Sequence, residues 1–75
     1  MAESEAELIA QAKHYLKRTY GEDTVSMTVT KNTVASGNGA LSVNCRVSVG
    51  GHESDWSKVF HFTHGAITNM DYRRR

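Results

Sequence analysis

Leu41-Ser42-Val43-Asn44-Cys45-Arg46-Val47-Ser48-Val49 alternates five apolar with four polar residues without a break. Only a β-strand sends successive side chains to opposite faces, so this stretch has one face for a core and one for water. Such a strand needs hydrogen-bonding partners and an apolar cover for its inner face, and the flanking sequence supplies both.

On the C-terminal side, Gly50-Gly51 is a two-residue hairpin signal. Pairing Val49 with His52 across it sets Cys45 opposite Trp56, Val43 opposite Lys58 and Leu41 opposite Phe60. The apolar sets of both strands then share one face, which is what a register must achieve. Phe60 and Phe62 continue that face, while Val59, His61 and Thr63 point the other way. Lys58 is the misfit, and the expectation is a stem lying on apolar surface with its amine in water. His64-Gly65 makes the next turn, into a fourth strand from Ala66 to about Tyr72. A three-residue loop with a glycine bulge turns Thr68, Met70 and Tyr72 inward. A two-residue loop turns Ile67 inward instead and pairs Lys58 with Asp71. The first is preferred because it buries two large side chains. Arg73 to Arg75 reads as a frayed end.

On the N-terminal side, Thr24 to about Thr33 sets Val25, Met27 and Val29 against Thr24, Ser26, Thr28 and Thr30, a β-branched strand. Val34 breaks the parity, so a bulge or the strand end lies near it. Ser36-Gly37-Asn38-Gly39 is a turn by composition. Ahead of this, Ser4 to Tyr20 carries Leu8, Ile9, Ala12, Tyr15, Leu16, Thr19 and Tyr20 at helical spacing. Ser4 with Glu7 forms a capping box and Gly21 a left-handed stop. Acidic residues sit in the first turn and Lys13, His14, Lys17 and Arg18 toward the last, as the helix dipole favours. The expected fold is α+β: one helix on one face of a four-stranded antiparallel meander, two layers, in a single small domain spanning residues 1–75. The other face is left wet, as antiparallel sheets allow.

Composition narrows the function classes. A 75-residue chain buries only roughly 60% of its unfolded surface, leaving little room for a deep cleft. No apolar run approaches the roughly 18 residues of a membrane span, and Met1 to Glu7 is acidic with no apolar signal core. The single cysteine, Cys45, lies on the apolar face of the central strand and reads as a small buried hydrophobe. A reducing, cytoplasmic setting is the expectation. Net charge is +1, but removing Arg73, Arg74 and Arg75 leaves six basic residues against eight acidic ones, so the body is mildly acidic and the tail basic.

No phosphate loop, dinucleotide fingerprint, nucleophile elbow or paired-cysteine zinc motif is present. His61-Phe62-Thr63-His64 has a metal-like spacing, but on a strand the two histidines point to opposite faces, so surface histidines are the simpler reading. No metal or cofactor is therefore expected. Val59-Phe60-His61-Phe62-Thr63-His64-Gly65-Ala66-Ile67 resembles the final hairpin of the cystatin-like and NTF2-like α+β folds, where an aromatic-alternating strand turns at a glycine into a strand beginning with isoleucine. An NTF2-like cone needs further helices, so its pocket and catalytic residues are not carried over. A small-molecule or catalytic alternative rests instead on His61 itself, mid-strand on the free face within expected reach of Arg46 or Asp71. The Gln-Val-x-Val-Gly hairpin of cystatin inhibitors is absent, and Arg46 to Gly50 shares only its ending.

The leading expectation is a non-enzymatic interaction domain using the open sheet face or an edge strand, with a protein partner or a second copy of the chain. Arg46, Val59, His61 and Ile67 would form the anchoring patch. No membrane partner is expected. A nucleic-acid alternative rests on Lys17, Arg18, Arg73, Arg74 and Arg75, which could add phosphate contacts.

Overall fold

The computed structural model describes residues 4–75. One helix, α1 (Glu5–Tyr20), precedes four strands: β1 (Asp23–Asn32), β2 (Gly39–Val49), β3 (His52–Thr63) and β4 (Ala66–Arg74). The strands form one antiparallel sheet in the order β1-β2-β3-β4, and α1 packs on one face of it. The α+β two-layer arrangement follows from the alternation in β2 and β3, which can bury only one face each.

Ser4 is the N-cap, its hydroxyl accepting from the Glu7 amide at 3.2 Å, so the helix proper begins at Glu5, one residue after the start of the expected Ser4–Tyr20 range. At the other end Gly21 takes φ +69° and its amide donates to the Lys17 carbonyl at 3.0 Å. The face of α1 carrying Leu8, Ala12 and Leu16 is buried against Leu41, Val43, Cys45, Val47, Phe60 and Phe62. Tyr15 meets Phe60 edge to face, centroids 6.2 Å apart. The β2–β3 register matches the turn argument residue for residue: Val49 with His52, Cys45 with Trp56, Val43 with Lys58, Leu41 with Phe60.

Three tight turns, at Ser36-Gly37, Gly50-Gly51 and His64-Gly65, have positive φ at both central residues. That is the geometry of the type I′ hairpin, whose twist matches its strands. The first and third lie at the same end of the sheet and are bonded to each other. The Gly65 amide donates to the Gly37 carbonyl at 2.9 Å, and the His64 amide to Asn38 Oδ1 at 3.1 Å.

The outer strands differ from expectation, and β-bulges are the reason. In β1, Thr24 pairs with Val47 and Ser26 with Arg46, so Val25 is the extra residue and is 53% exposed rather than facing the core. A second bulge at Thr30 precedes the strand end at Asn32. In β4 the turn is the two-residue one, Thr63 pairing with Ala66, and Ile67 faces inward opposite Phe62. Thr68 is then extra, which restores Met70 and Tyr72 to the inner face opposite Phe60 and Lys58. The preferred three-residue loop is therefore replaced by a bulge three residues past the turn. Thr68 stays exposed, and the Lys58–Asp71 pair of the alternative two-residue register is not formed because the bulge sets Tyr72 opposite Lys58. Both bulge threonines donate their hydroxyls across the ladder, Thr30 to the Ser42 carbonyl at 3.2 Å and Thr68 to the His61 carbonyl at 3.3 Å.

The C-terminal arginines are not frayed. Arg73 pairs with Ser57 and Arg74 with Trp56 in the ladder, and the Arg75 amide donates to the Asp55 carbonyl at 3.0 Å. Arg74 is held because its guanidinium lies over the Trp56 ring, 5.4 Å from the centroid, a cation–π contact.

Candidate functional site

Two surfaces bring functional groups together, on opposite sides of the sheet. The first is the outer face, which no helix covers. Here Arg46 and Asp55 stand directly opposite each other and form two parallel hydrogen bonds, Nε to Oδ1 at 2.9 Å and Nη2 to Oδ2 at 3.2 Å. Glu53 adds a looser contact to Arg46 at 3.8 Å. Asn44 accepts from the Ser57 hydroxyl at 2.9 Å. His61 Nε2 lies 2.8 Å from Asp71 Oδ2. Between these polar pairs Val59, flanked by Ser57, Asp71 and Arg73, forms the apolar floor of a shallow depression of about 320 Å³.

The Arg46 guanidinium, bonded to Asp55, holds that carboxyl below the usual carboxylate range, with Arg75 contributing in the same direction. The native state therefore binds a proton at Asp55 less readily than the unfolded chain does. Its contribution to stability is present above the unfolded pKa and is lost as pH falls through the lower folded value. Arg46→Ala is expected to return Asp55 toward its ordinary range, read as an upward shift of the Asp55 side-chain carbon titration by NMR. An unchanged midpoint would place the cause elsewhere.

The expected patch of Arg46, Val59, His61 and Ile67 is divided by the structure. The first three share the outer face. Ile67 does not, because the two-residue turn directs it inward, where it packs against the core. The histidine expected to draw Arg46 or Asp71 has Asp71 as its partner, while Arg46 is held by Asp55. The five basic residues of the nucleic-acid alternative are not gathered on one surface. Lys17 is paired with Asp23 at 2.9 Å, Arg18 borders a groove between α1 and β4, and Arg73 and Arg74 alternate to opposite faces of β4.

The second surface lies on the helix side, beyond the end of α1. Lys58, only 3% exposed, places its amine 2.6 Å from Glu22 Oε1. The same amine sits 5.3 Å from the centroid of Trp56 and 5.7 Å from that of Tyr20. Tyr72 closes the group edge to face with Trp56, centroids 5.7 Å apart. Tyr20, Glu22, Trp56, Lys58, Met70 and Tyr72 line a cavity of about 210 Å³. The expectation of a Lys58 amine in water is thus corrected. Glu22 reaches over from the α1–β1 connection and supplies a counter-charge, and a buried cation is tolerated only when so paired. Sequence reasoning missed this site. Its one visible sign was a charge in the middle of an otherwise apolar inner face, two positions from a tryptophan.

Cys45, on the same face, has its thiol pushed up by burial, with the Lys58 ammonium the largest influence in the other direction. A buried, protonated thiol is a poor nucleophile. No helix among the described residues is long and apolar enough to cross a membrane. Compared with family models, curated proteins and solved structures, the chain matches none.

Proposed function

We propose that the chain is a non-enzymatic interaction domain that associates with a second copy of itself through the outer face of its sheet. The observation that carries this reading is the composition of that face. Val59 is an apolar spot beside Asp71 and Arg73, and further along the same face Arg46 stands with Glu53 and Asp55. Like faces so balanced do not repel, and each cation can find a carboxylate across a two-fold axis. The edges are less suited. β1 is broken by two bulges, and β4 by one bulge and a run of arginines, both devices that discourage strand addition. His61 with Asp71 supplies a hydrogen-bonding rim rather than a reaction centre, because the open face excludes no water from it.

Light scattering on the full chain after size-exclusion chromatography tests this. The average molar mass is expected to rise with concentration toward twice the monomer value, and Val59→Ala/His61→Ala to remain monomeric at the same concentrations. Equal masses for the two proteins across the series would refute it.

A further inference from the structure

The cavity beside Lys58 is on the opposite side of the sheet from the proposed interface, and it has the makings of a ligand site. Lys58 carries three N–H donors, and Glu22 Oε1 is its one hydrogen-bond acceptor among the described residues. The remaining donors belong to a side chain that is almost wholly buried and lines the cavity. The walls are aromatic: Trp56 and Tyr72 meet at an interplanar angle of 75°, forming a corner, with Tyr20 opposite and Met70 beside them. At about 210 Å³ the space is below the roughly 300–1,000 Å³ of drug-sized pockets, so the occupant is a molecule of one or two rings.

Charge selects further. An aromatic cage with a carboxylate ordinarily suits a cation, but here the chain's own Lys58 already occupies that role. An incoming cation would meet it at close range. Glu22 neutralises Lys58, and the nearby Arg74, stacked on Trp56, makes no ion pair among the described residues. The local balance is one uncompensated positive charge. We propose that this cavity binds a small planar aromatic carboxylate, its ring in the Trp56–Tyr72 corner and a carboxylate oxygen accepting from Lys58 Nζ. Both Tyr72, 63% exposed, and Tyr20 stand at the surface, so the site is reachable without opening the core.

Trp56 is the only tryptophan of the chain and reports on the site directly. Titration of the full chain with sodium benzoate is expected to change Trp56 emission saturably. Acetate, which lacks the ring, and benzylammonium, which carries the wrong charge, should give no saturable change. Lys58→Met should weaken benzoate binding about tenfold or more, the usual effect of removing a charged hydrogen-bond donor. Tyr72→Ala, a surface substitution that leaves the core intact, should weaken it about fivefold through lost stacking. A linear, non-saturating response to benzoate, an equal response to benzylammonium, or unchanged binding in the Tyr72→Ala protein would each overturn the proposal.

Discussion

Replacing Glu22 with alanine is expected to destabilise the fold by about 3 kcal/mol, and replacing Lys58 with methionine by less than about 1.5 kcal/mol. Both substitutions break the same ion pair, so a surface-type contact would give two similar losses of about 0.2–1 kcal/mol. The asymmetry comes from what each leaves behind. Without Glu22, the ammonium of Lys58 remains 3% exposed among Trp56, Tyr20 and Met70 with no counter-charge. Without Lys58, Glu22 is already 13% exposed at the cavity's edge and can turn toward water, while methionine fills the vacated stem with similar volume. For a chain of this length total stability is about 4–11 kcal/mol, so the larger loss is a substantial fraction of it. Urea unfolding with constant m-values reads both numbers. Because the pair is shielded from solvent ions, added salt should not narrow the difference. Equal losses would mean that Lys58 reaches solvent after all.

Gly37→Ala is expected to destabilise by about 2–4 kcal/mol, combining left-handed backbone strain with a steric clash. Gly37 has φ +81°, and a Cβ built there would lie 2.6 Å from the Gly65 amide nitrogen, a backbone atom that cannot move aside cheaply. The push would also fall on the Gly65–Gly37 hydrogen bond that joins the two turns. Gly50→Ala separates the two effects. Gly50 has φ +58° but nothing within 4 Å of its would-be Cβ, so only the conformational part, about 1–2 kcal/mol, should be lost. If urea midpoints show the two variants equally destabilised, the turns at the Gly37 end do not touch as described.

The contrast between these two turns shows what could be read in advance. Gly50-Gly51 joins two strands whose alternation is unbroken, so the turn length and the apolar pattern demand the same register and each pair could be assigned. In β4 the large apolar residues are Ile67, Met70 and Tyr72. The odd spacing between the first two can be reconciled with one inward face only by an extra residue, and Thr68 provides it. The pattern contained that conflict: the three-residue loop alone would have sacrificed Ile67, and the two-residue loop alone both Met70 and Tyr72. Val25 is the opposite case, since its phase with Met27 and Val29 is regular. Its exposure comes from a bulge that places Thr24 opposite Val47, with the Thr24 hydroxyl buried and unpaired. No local property of the sequence marks that choice.

The candidate sites divide similarly. Arg46, Val59 and His61 share a face because strand alternation alone puts them there, whereas the face of Ile67 depends on the length of the turn before it. The Lys58–Glu22 pair joins residues 36 positions apart, so it exists only once the helix end, β1 and β3 are in place. The arginine run looked like a solvated tail, yet strand pairing and the Trp56 ring order it.

The outer sheet face as the surface of self-association is best tested by amide NMR spectra of the full chain over a dilution series. Concentration-dependent shifts should cluster at Arg46, Val59, His61 and Arg73, and should disappear in the Val59→Ala/His61→Ala protein. Spectra that do not change with concentration, or shifts confined to α1 or the edge of β1, would contradict it.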